Sequence, residues 1–137
     1  MHLSIYTDGG ARGNPGPAAV GFVIKSTNNQ LIVEEGQLIG EATNNTAEYK
    51  AIITALNWLE ENESKVTSTA TFFLDSNLVV NQLGGNFKIK KQHLSQLAQE
   101  IHSKLHDLGI TATFKYIPRD KNYRADYLLY QALDTQY

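Results

Sequence analysis

The 137-residue sequence contains no cysteine. Disulfides, cysteine-based zinc sites and thiol chemistry are therefore excluded. A chain without cysteine suits a reducing cytoplasm, which is the expected compartment. No apolar run approaches membrane-spanning length, so a membrane-embedded role is not expected. The N-terminus opens on a strand pattern rather than on a charged-then-apolar leader. Excess positive charge is lacking too: the net charge is −2. A nucleic-acid partner would have to be held by a local patch.

What is present is a globular composition, 42% hydrophobic and 19% charged, in a length that fits one domain over 1–137. The organising stretch is Tyr6-Thr-Asp-Gly-Gly-Ala-Arg-Gly-Asn-Pro-Gly-Pro17. The alternating run from Leu3 to Thr7 predicts a strand that delivers Asp8 at its end. The glycines and prolines that follow predict a loop. Asp8 alone is also compatible with a simple turn residue.

Ala18 to Ile24 predicts a second strand, and Leu31 to Ile39 a third, hairpin-paired across a turn at Thr27–Gln30. A helix follows Thr43-Asn-Asn-Thr46. Asn45 and Glu48 have capping-box spacing, with Asn45 as the cap, and the helix is expected to end near Glu61. Ala51, Ile52, Ala55, Leu56 and Leu59 form its apolar stripe. Val66 to Ser68 reads as a connector. Thr71 to Leu74 is a short strand with Asp75 at its end. Asn77 to Leu83 predicts a short helix stopped by Gly84-Gly85. Leu94 to Leu108 predicts a longer helix closed by Gly109. Thr111 to Ile117 is the last strand, Arg119 to Asn122 a polar loop after Pro118, and a final amphipathic helix carries Asp126.

The order is β-β-β-α-β-α-α-β-α, which predicts a mixed sheet with helices on its faces. The crossover helix lets the first and fourth strands lie parallel and adjacent. Asp8 and Asp75 then meet at the carboxyl edge, where ligands bind in α/β sheets. Glu48 shares a helical face with Ile52, Ala55 and Leu59, so it points inward, as a capping acid, as a site residue or as both. Asp126 leans inward with Leu129 and Leu133, as a helix-dipole acid or as a fourth site carboxylate. Four carboxylates in one pocket would raise one another's pKa values or require a cation. With no His or Cys at hand, oxygen-only ligation points to magnesium or manganese. A pair of such ions about 4 Å apart drives in-line phosphodiester cleavage.

Other features are weaker. The glycine loop lacks a Gly-Lys-Ser/Thr ending and precedes a strand, so it is not a nucleotide P-loop. His102 and His106 have metal-capable spacing but no third ligand, and read as a solvated pair. Lys88, Lys90 and Lys91 form a small basic cluster, either plain surface or a grip on a phosphate backbone. Tyr123, Tyr127, Tyr130 and Tyr137 read as packing rather than as a base-stacking platform.

Four segments resemble the type 1 class of ribonuclease H. They are the organising stretch, Thr43-Asn-Asn-Thr-Ala-Glu-Tyr49, Leu74-Asp-Ser76 with Leu78-Val-Val80, and Ile117-Pro-Arg-Asp-Lys-Asn122 with Ala125-Asp126. The resemblance spans nearly the whole chain in the family's order. It implies an α/β ribonuclease H-like fold, a five-stranded mixed sheet with its first three strands antiparallel. It implies a metal-dependent endoribonuclease cutting the RNA strand of RNA–DNA hybrids, leaving 5′-phosphate and 3′-hydroxyl ends. The four catalytic, metal-binding acids fall on Asp8, Glu48, Asp75 and Asp126. Asp8 would bridge two magnesium ions, with manganese as a substitute. Asp126 would serve the ion that activates water, and Glu48 and Asp75 the ion on the leaving-group side. Gly10, Asn14, Asn44, Asn45 and Asn77 would face the minor groove, where 2′-hydroxyls distinguish RNA. Thr43 would contact a DNA phosphate.

The chain departs from the family in four respects. Arg119 occupies the loop where many members carry a histidine; it is expected to contact phosphate but cannot shuttle protons near neutral pH. The basic protrusion of some members is missing, with Lys88, Lys90 and Lys91 as its reduced equivalent. No separate hybrid-binding domain is present, and a monomer is expected. Glu41 places a negative charge near the expected phosphate contact. Two other readings are a non-catalytic nucleic-acid-binding module and a resolvase- or integrase-like nuclease. The first would not concentrate acids against phosphate, and the second should lack Asn14 and Thr43-Asn-Asn45.

Overall fold

Alternation of apolar and polar residues makes His2–Ala11 the central strand, β1. In the computed structural model, which describes residues 2–62 and 69–136, every other element is placed by reference to it. Gly16–Lys25 forms β2 and Leu31–Ala42 forms β3. Asn44–Asn62 is helix α1, Thr69–Leu74 is β4, Asn77–Leu83 is α2 and Gln92–Leu108 is α3. Thr111–Tyr116 is β5, Arg119–Asn122 is one 3-10 turn and Tyr123–Gln136 is α4. The expected order of strands and helices is met. The connector at Val66–Ser68 lies outside the described residues.

The strands form one sheet in the order β3-β2-β1-β4-β5. β1 to β3 pair antiparallel, while β1, β4 and β5 run parallel. One face carries the main core. Ile5, Phe22, Phe72 and Leu74 from the sheet meet Ile52, Leu56 and Leu59 of α1 and Ile101 of α3, all almost fully buried. Truncating any of these large side chains to alanine costs about 2–5 kcal/mol. The other face is covered over β2 by α4, through Leu129 and Leu133 against Ala19. β2 is therefore buried on both faces, which explains why its sequence is a continuous apolar run rather than an alternating one.

Three local expectations are corrected. The glycine-rich loop is shorter than its composition suggests, because β1 runs to Ala11 and β2 starts at Gly16. Glycine is tolerated there because antiparallel pairing continues through Gly9–Val20 to Ala11–Ala18. The cap of α1 is Thr43, not Asn45: the Thr46 amide donates to Thr43 Oγ1 at 3.2 Å. Tyr123 and Tyr127 are not core packing, since they are 70% and 50% exposed. Tyr127 instead lies under the Arg124 guanidinium, 5.0 Å from ring centroid to Cζ. Tyr137 lies outside the described residues.

Among the described residues, no helix is long and apolar enough to cross a membrane.

Candidate metal centre and active site

The parallel register between β1 and β4 pairs Tyr6 with Phe73. Continued two residues, it sets Asp8 beside Asp75, which follows directly on the end of β4. The third acid comes from α1, and a glycine brings it close. A Cβ on Gly9 would stand 2.1 Å from the carbonyl oxygen of Ala47 and 2.6 Å from the amide nitrogen of Glu48. Only the missing side chain lets the first turn of α1 rest on β1. Glu48 then points at Asp8 rather than back at its own cap.

One carboxylate oxygen from each of Asp8, Glu48 and Asp75 lies within 4.8 Å of the others. This is the only such group of potential metal ligands among the described residues. Asp8 is 5% exposed, and Glu48 Oε2 is buried with no hydrogen-bond partner. The electrostatics follow from that crowding. Burial, then the charges of Glu48 and Asp75, pushes the Asp8 pKa up to about 10. Burial and the charge of Asp75 push Glu48 up to about 8, against a hydrogen bond to Asp8 and the charge of Arg119. Asp75 is raised as well, chiefly by burial, while Arg119 opposes the rise. Left to itself the cluster retains protons. A divalent cation would replace those protons and satisfy the orphaned Glu48 oxygen. The all-oxygen donor set fits magnesium or manganese rather than zinc.

Asp126, in the first turn of α4, lines the same cavity of about 330 Å³. It lies against Asp8 and helps to raise both Asp8 and Asp75, and its Oδ1 accepts from Arg119 Nη2 at 3.3 Å. Two further residues place this corner, and the sequence reading missed both. Tyr130 lines the cavity with Arg119 and packs against Ala19, Leu129 and Leu133. Its spacing of four from Asp126 on α4 was the available signal. Asn122 is 1% exposed and donates Nδ2 to the Thr7 carbonyl at 2.8 Å, fastening the 3-10 turn to β1 beside Asp8. Nothing local in the sequence marks it.

The residues expected to read the minor groove sit at the cavity rim. Asn44 Oδ1 accepts from the Ala11 amide at 2.9 Å, and Asn14 Oδ1 accepts from the Asn44 amide at 2.9 Å. Both side chains are exposed. Because their oxygens are taken, their NH2 groups face outward and can only donate. Gly10 lines the cavity between them and Tyr130. Thr43 and half-buried Asn45 flank Asn44 at the start of α1. Asn77 opens α2 just past Asp75, and its side-chain oxygen accepts from Asn81 at 3.1 Å. Lys88, Lys90 and Lys91 are exposed and line no part of the cavity. His102 and His106 are exposed on α3, and no third metal ligand joins them among the described residues.

A family described as reverse transcriptase-like matches residues 6–132. The chain is 37% identical over 140 residues to the Mycobacterium tuberculosis protein named bifunctional protein Rv2228c, covering 98% of this chain. It spans only 36% of that relative's length. It is also similar to the solved structure of RNase H1 from Halobacterium salinarum, at 36% identity and a TM-score of 0.91, covering 98% of this chain and 99% of that one. The solved structure of LC11-RNase H1 in complex with an RNA/DNA hybrid matches at 39% identity and a TM-score of 0.90, covering 98% of each chain.

Proposed function

The chain belongs to the type 1 ribonuclease H family, and from that premise we propose that it hydrolyses the RNA strand of RNA–DNA hybrids. The observation that carries this reading is the convergence of Asp8, Glu48 and Asp75 from three separate elements, with Asp126 at the same cavity. The kinship with LC11-RNase H1, solved with a hybrid, supports the substrate.

Asp8, Glu48, Asp75 and Asp126 would hold two magnesium ions, or manganese in their place. When bound, such ions supply an activated water and neutralise charge on the phosphoryl oxygens. The P–O3′ bond breaks as the bond from water to phosphorus forms, leaving 5′-phosphate and 3′-hydroxyl ends. The chain's own part is placement. Asp8 and Asp75 are fixed by strand register, and Glu48 by the close seat of α1 on Gly9. Asn14 and Asn44, with their outward NH2 groups, donate to 2′-hydroxyl oxygens, while Gly10 leaves room for the backbone to approach. Asn45 and Asn77 extend that surface, Thr43 takes a DNA phosphate, and Arg119 meets the phosphate near Asp126. The reaction proceeds in a monomer of the cytoplasm.

The test is cleavage of a labelled hybrid, single-stranded RNA and duplex DNA with magnesium or manganese. Cutting confined to the RNA of the hybrid, and abolished in a folded Asp75→Asn variant, is the expected result. Full activity of that variant would overturn the assignment. Salt-dependent hybrid binding without cleavage under either metal would instead favour a binding module.

A further inference from the structure

The turn at Arg119–Asn122 has a cavity on either side of it. Arg119 lines the metal cavity, while Lys121 and Asn122 line a second one of about 420 Å³. That volume falls in the range of roughly 300–1,000 Å³ that encloses small ligands. Tyr6 of β1 lines this second cavity as Asp8 lines the first. The two residues alternate onto the same face of the strand, about 7 Å apart.

The second cavity has the opposite charge. Its ionic lining is Lys25, Lys121, Arg124 and Glu34, three cations to one acid. Glu34 is taken by Arg124 in a two-armed pair, at 2.9 and 2.6 Å. Lys25 and Lys121 have no salt-bridge partner among the described residues. In a chain of net charge −2, this is a local positive patch of the kind a nucleic acid needs. The aromatic lining is equally specific. Tyr6 is braced against Phe73, with ring centroids 4.7 Å apart, and Lys25 Nζ lies 5.6 Å from its ring centre. Tyr123 is 70% exposed and enters no aromatic or cation–π pair among the described residues. A lone exposed tyrosine needs no explanation. One that lines a cavity with two unpaired lysines has the parts of a nucleotide site: a ring for the base and ammonium groups for the phosphate.

We propose that this second cavity holds one unpaired nucleotide of a strand that runs on from the metal cavity over the Arg119–Asn122 turn. The base stacks on Tyr123 with Tyr6 as the apolar floor, and Lys25 and Lys121 take the phosphate. A stacked strand advances about 3.4 Å per nucleotide, so the step between the cavities is roughly two nucleotides. Unpaired ends of the substrate are held there, whereas the paired bases inside a duplex cannot enter. The strand rests on the substrate reading given above; the nucleotide chemistry of the cavity does not.

The experiment compares a blunt RNA–DNA hybrid with the same hybrid carrying four unpaired nucleotides at the 5′ or the 3′ end of its RNA. Binding is read by fluorescence anisotropy in chelator. One of the two tails should tighten binding to wild type by roughly tenfold, or about 1.4 kcal/mol, the worth of stacking one base. Tyr123→Ala should abolish that gain and leave affinity for the blunt hybrid unchanged. Lys25→Ala combined with Lys121→Ala should remove part of the gain and lower its salt dependence. In parallel, amide NMR shifts are followed as a four-nucleotide oligouridylate or uridine 5′-monophosphate is added in chelator. The oligonucleotide should move Tyr6, Lys25 and Tyr123 and leave α3 unmoved. No gain from either tail, or a gain that survives Tyr123→Ala, overturns the proposal. Equal shifts with the mononucleotide and no gain from a tail mark a free-nucleotide site and overturn the strand reading. Failure of wild type to bind even the blunt hybrid overturns the substrate reading instead, and the oligonucleotide shifts then decide the nucleotide site by themselves: present they support it, absent they overturn it.

Discussion

The side chain of Asn122 donates to the backbone carbonyl of Thr7 at 2.8 Å, a buried link between residues 115 positions apart. Thr7 precedes Asp8, and Asn122 ends the turn that carries Arg119 toward Asp126. One hydrogen bond therefore sets the two halves of the site against each other. Asn122→Ala removes the donor and leaves a buried carbonyl unpaired, which costs about 1–3 kcal/mol. Urea unfolding should show a lower midpoint with an unchanged slope. Cleavage should fall in kcat more than in KM, since Asn122 touches no part of the cavity rim.

Gly9 separates stability from spacing in a second way. In Gly9→Ala the new methyl would meet the Ala47 carbonyl at 2.1 Å, backbone against backbone. The helix must lift off the strand, at a cost of about 1–3 kcal/mol or more. Glu48 moves with it, so activity should fall further than stability alone predicts. Gly10→Ala is the matched comparison. Its nearest neighbour would be Leu129 Cδ1 at 3.6 Å, an ordinary contact. Melting temperatures of the two variants, measured side by side, check the difference: Gly10→Ala should stay within about 0.5 kcal/mol of wild type.

These two contacts also mark where the sequence was and was not readable. The α2 boundaries and the stripe of α1 were legible because helical periodicity is local. The meeting of Asp8 with Asp75 was legible because a single crossover helix leaves parallel neighbours as the simplest arrangement. The cap of α1 was misassigned by two residues. Thr43, Asn44, Asn45 and Thr46 are all able to cap, and the choice was decided by Asn14 and Ala11, which take up Asn44 from a distant turn. Asn122 was invisible for the same kind of reason, because its partner is a backbone carbonyl that any residue would offer. Tyr130 packs as its helical face predicts, against Ala19, Leu129 and Leu133, yet the pattern could not show that it also lines the cavity.

The crowded acids predict how the metal-free protein responds to pH. Asp8 and Glu48 have folded-state pKa values raised to about 10 and about 8. Unfolded, both titrate near about 4. Between these limits the folded state binds more protons than the unfolded state, so stability is lost as pH rises. In chelator the melting temperature should therefore be higher near pH 5 than near pH 9. Magnesium or manganese should flatten the profile, with the larger gain on the alkaline side, because cation replaces proton. A profile in chelator that rises steadily from pH 5 to pH 9 would contradict the burial and crowding of these acids.

The rim asparagines predict a polarity of recognition. In Asn44 the side-chain oxygen is committed to the Ala11 amide, and only the NH2 group is offered outward. Asn44→Asp keeps an oxygen for Ala11 but turns a donor into a charged acceptor facing the substrate. Asn44→Ala loses both the internal bond and the donor. The first variant should therefore keep near wild-type stability and the second should lose about 1 kcal/mol. Both should raise KM for a hybrid by roughly tenfold, the worth of one hydrogen bond of about 1.4 kcal/mol, with kcat less affected. The aspartate variant should be the worse binder at low salt and should recover part of the difference as salt screens its charge. Steady-state kinetics on one hybrid at two ionic strengths distinguish the cases. If Asn44→Asp binds as well as wild type at low salt, the outward group does not donate to the hybrid, and the sugar must be read elsewhere along the rim.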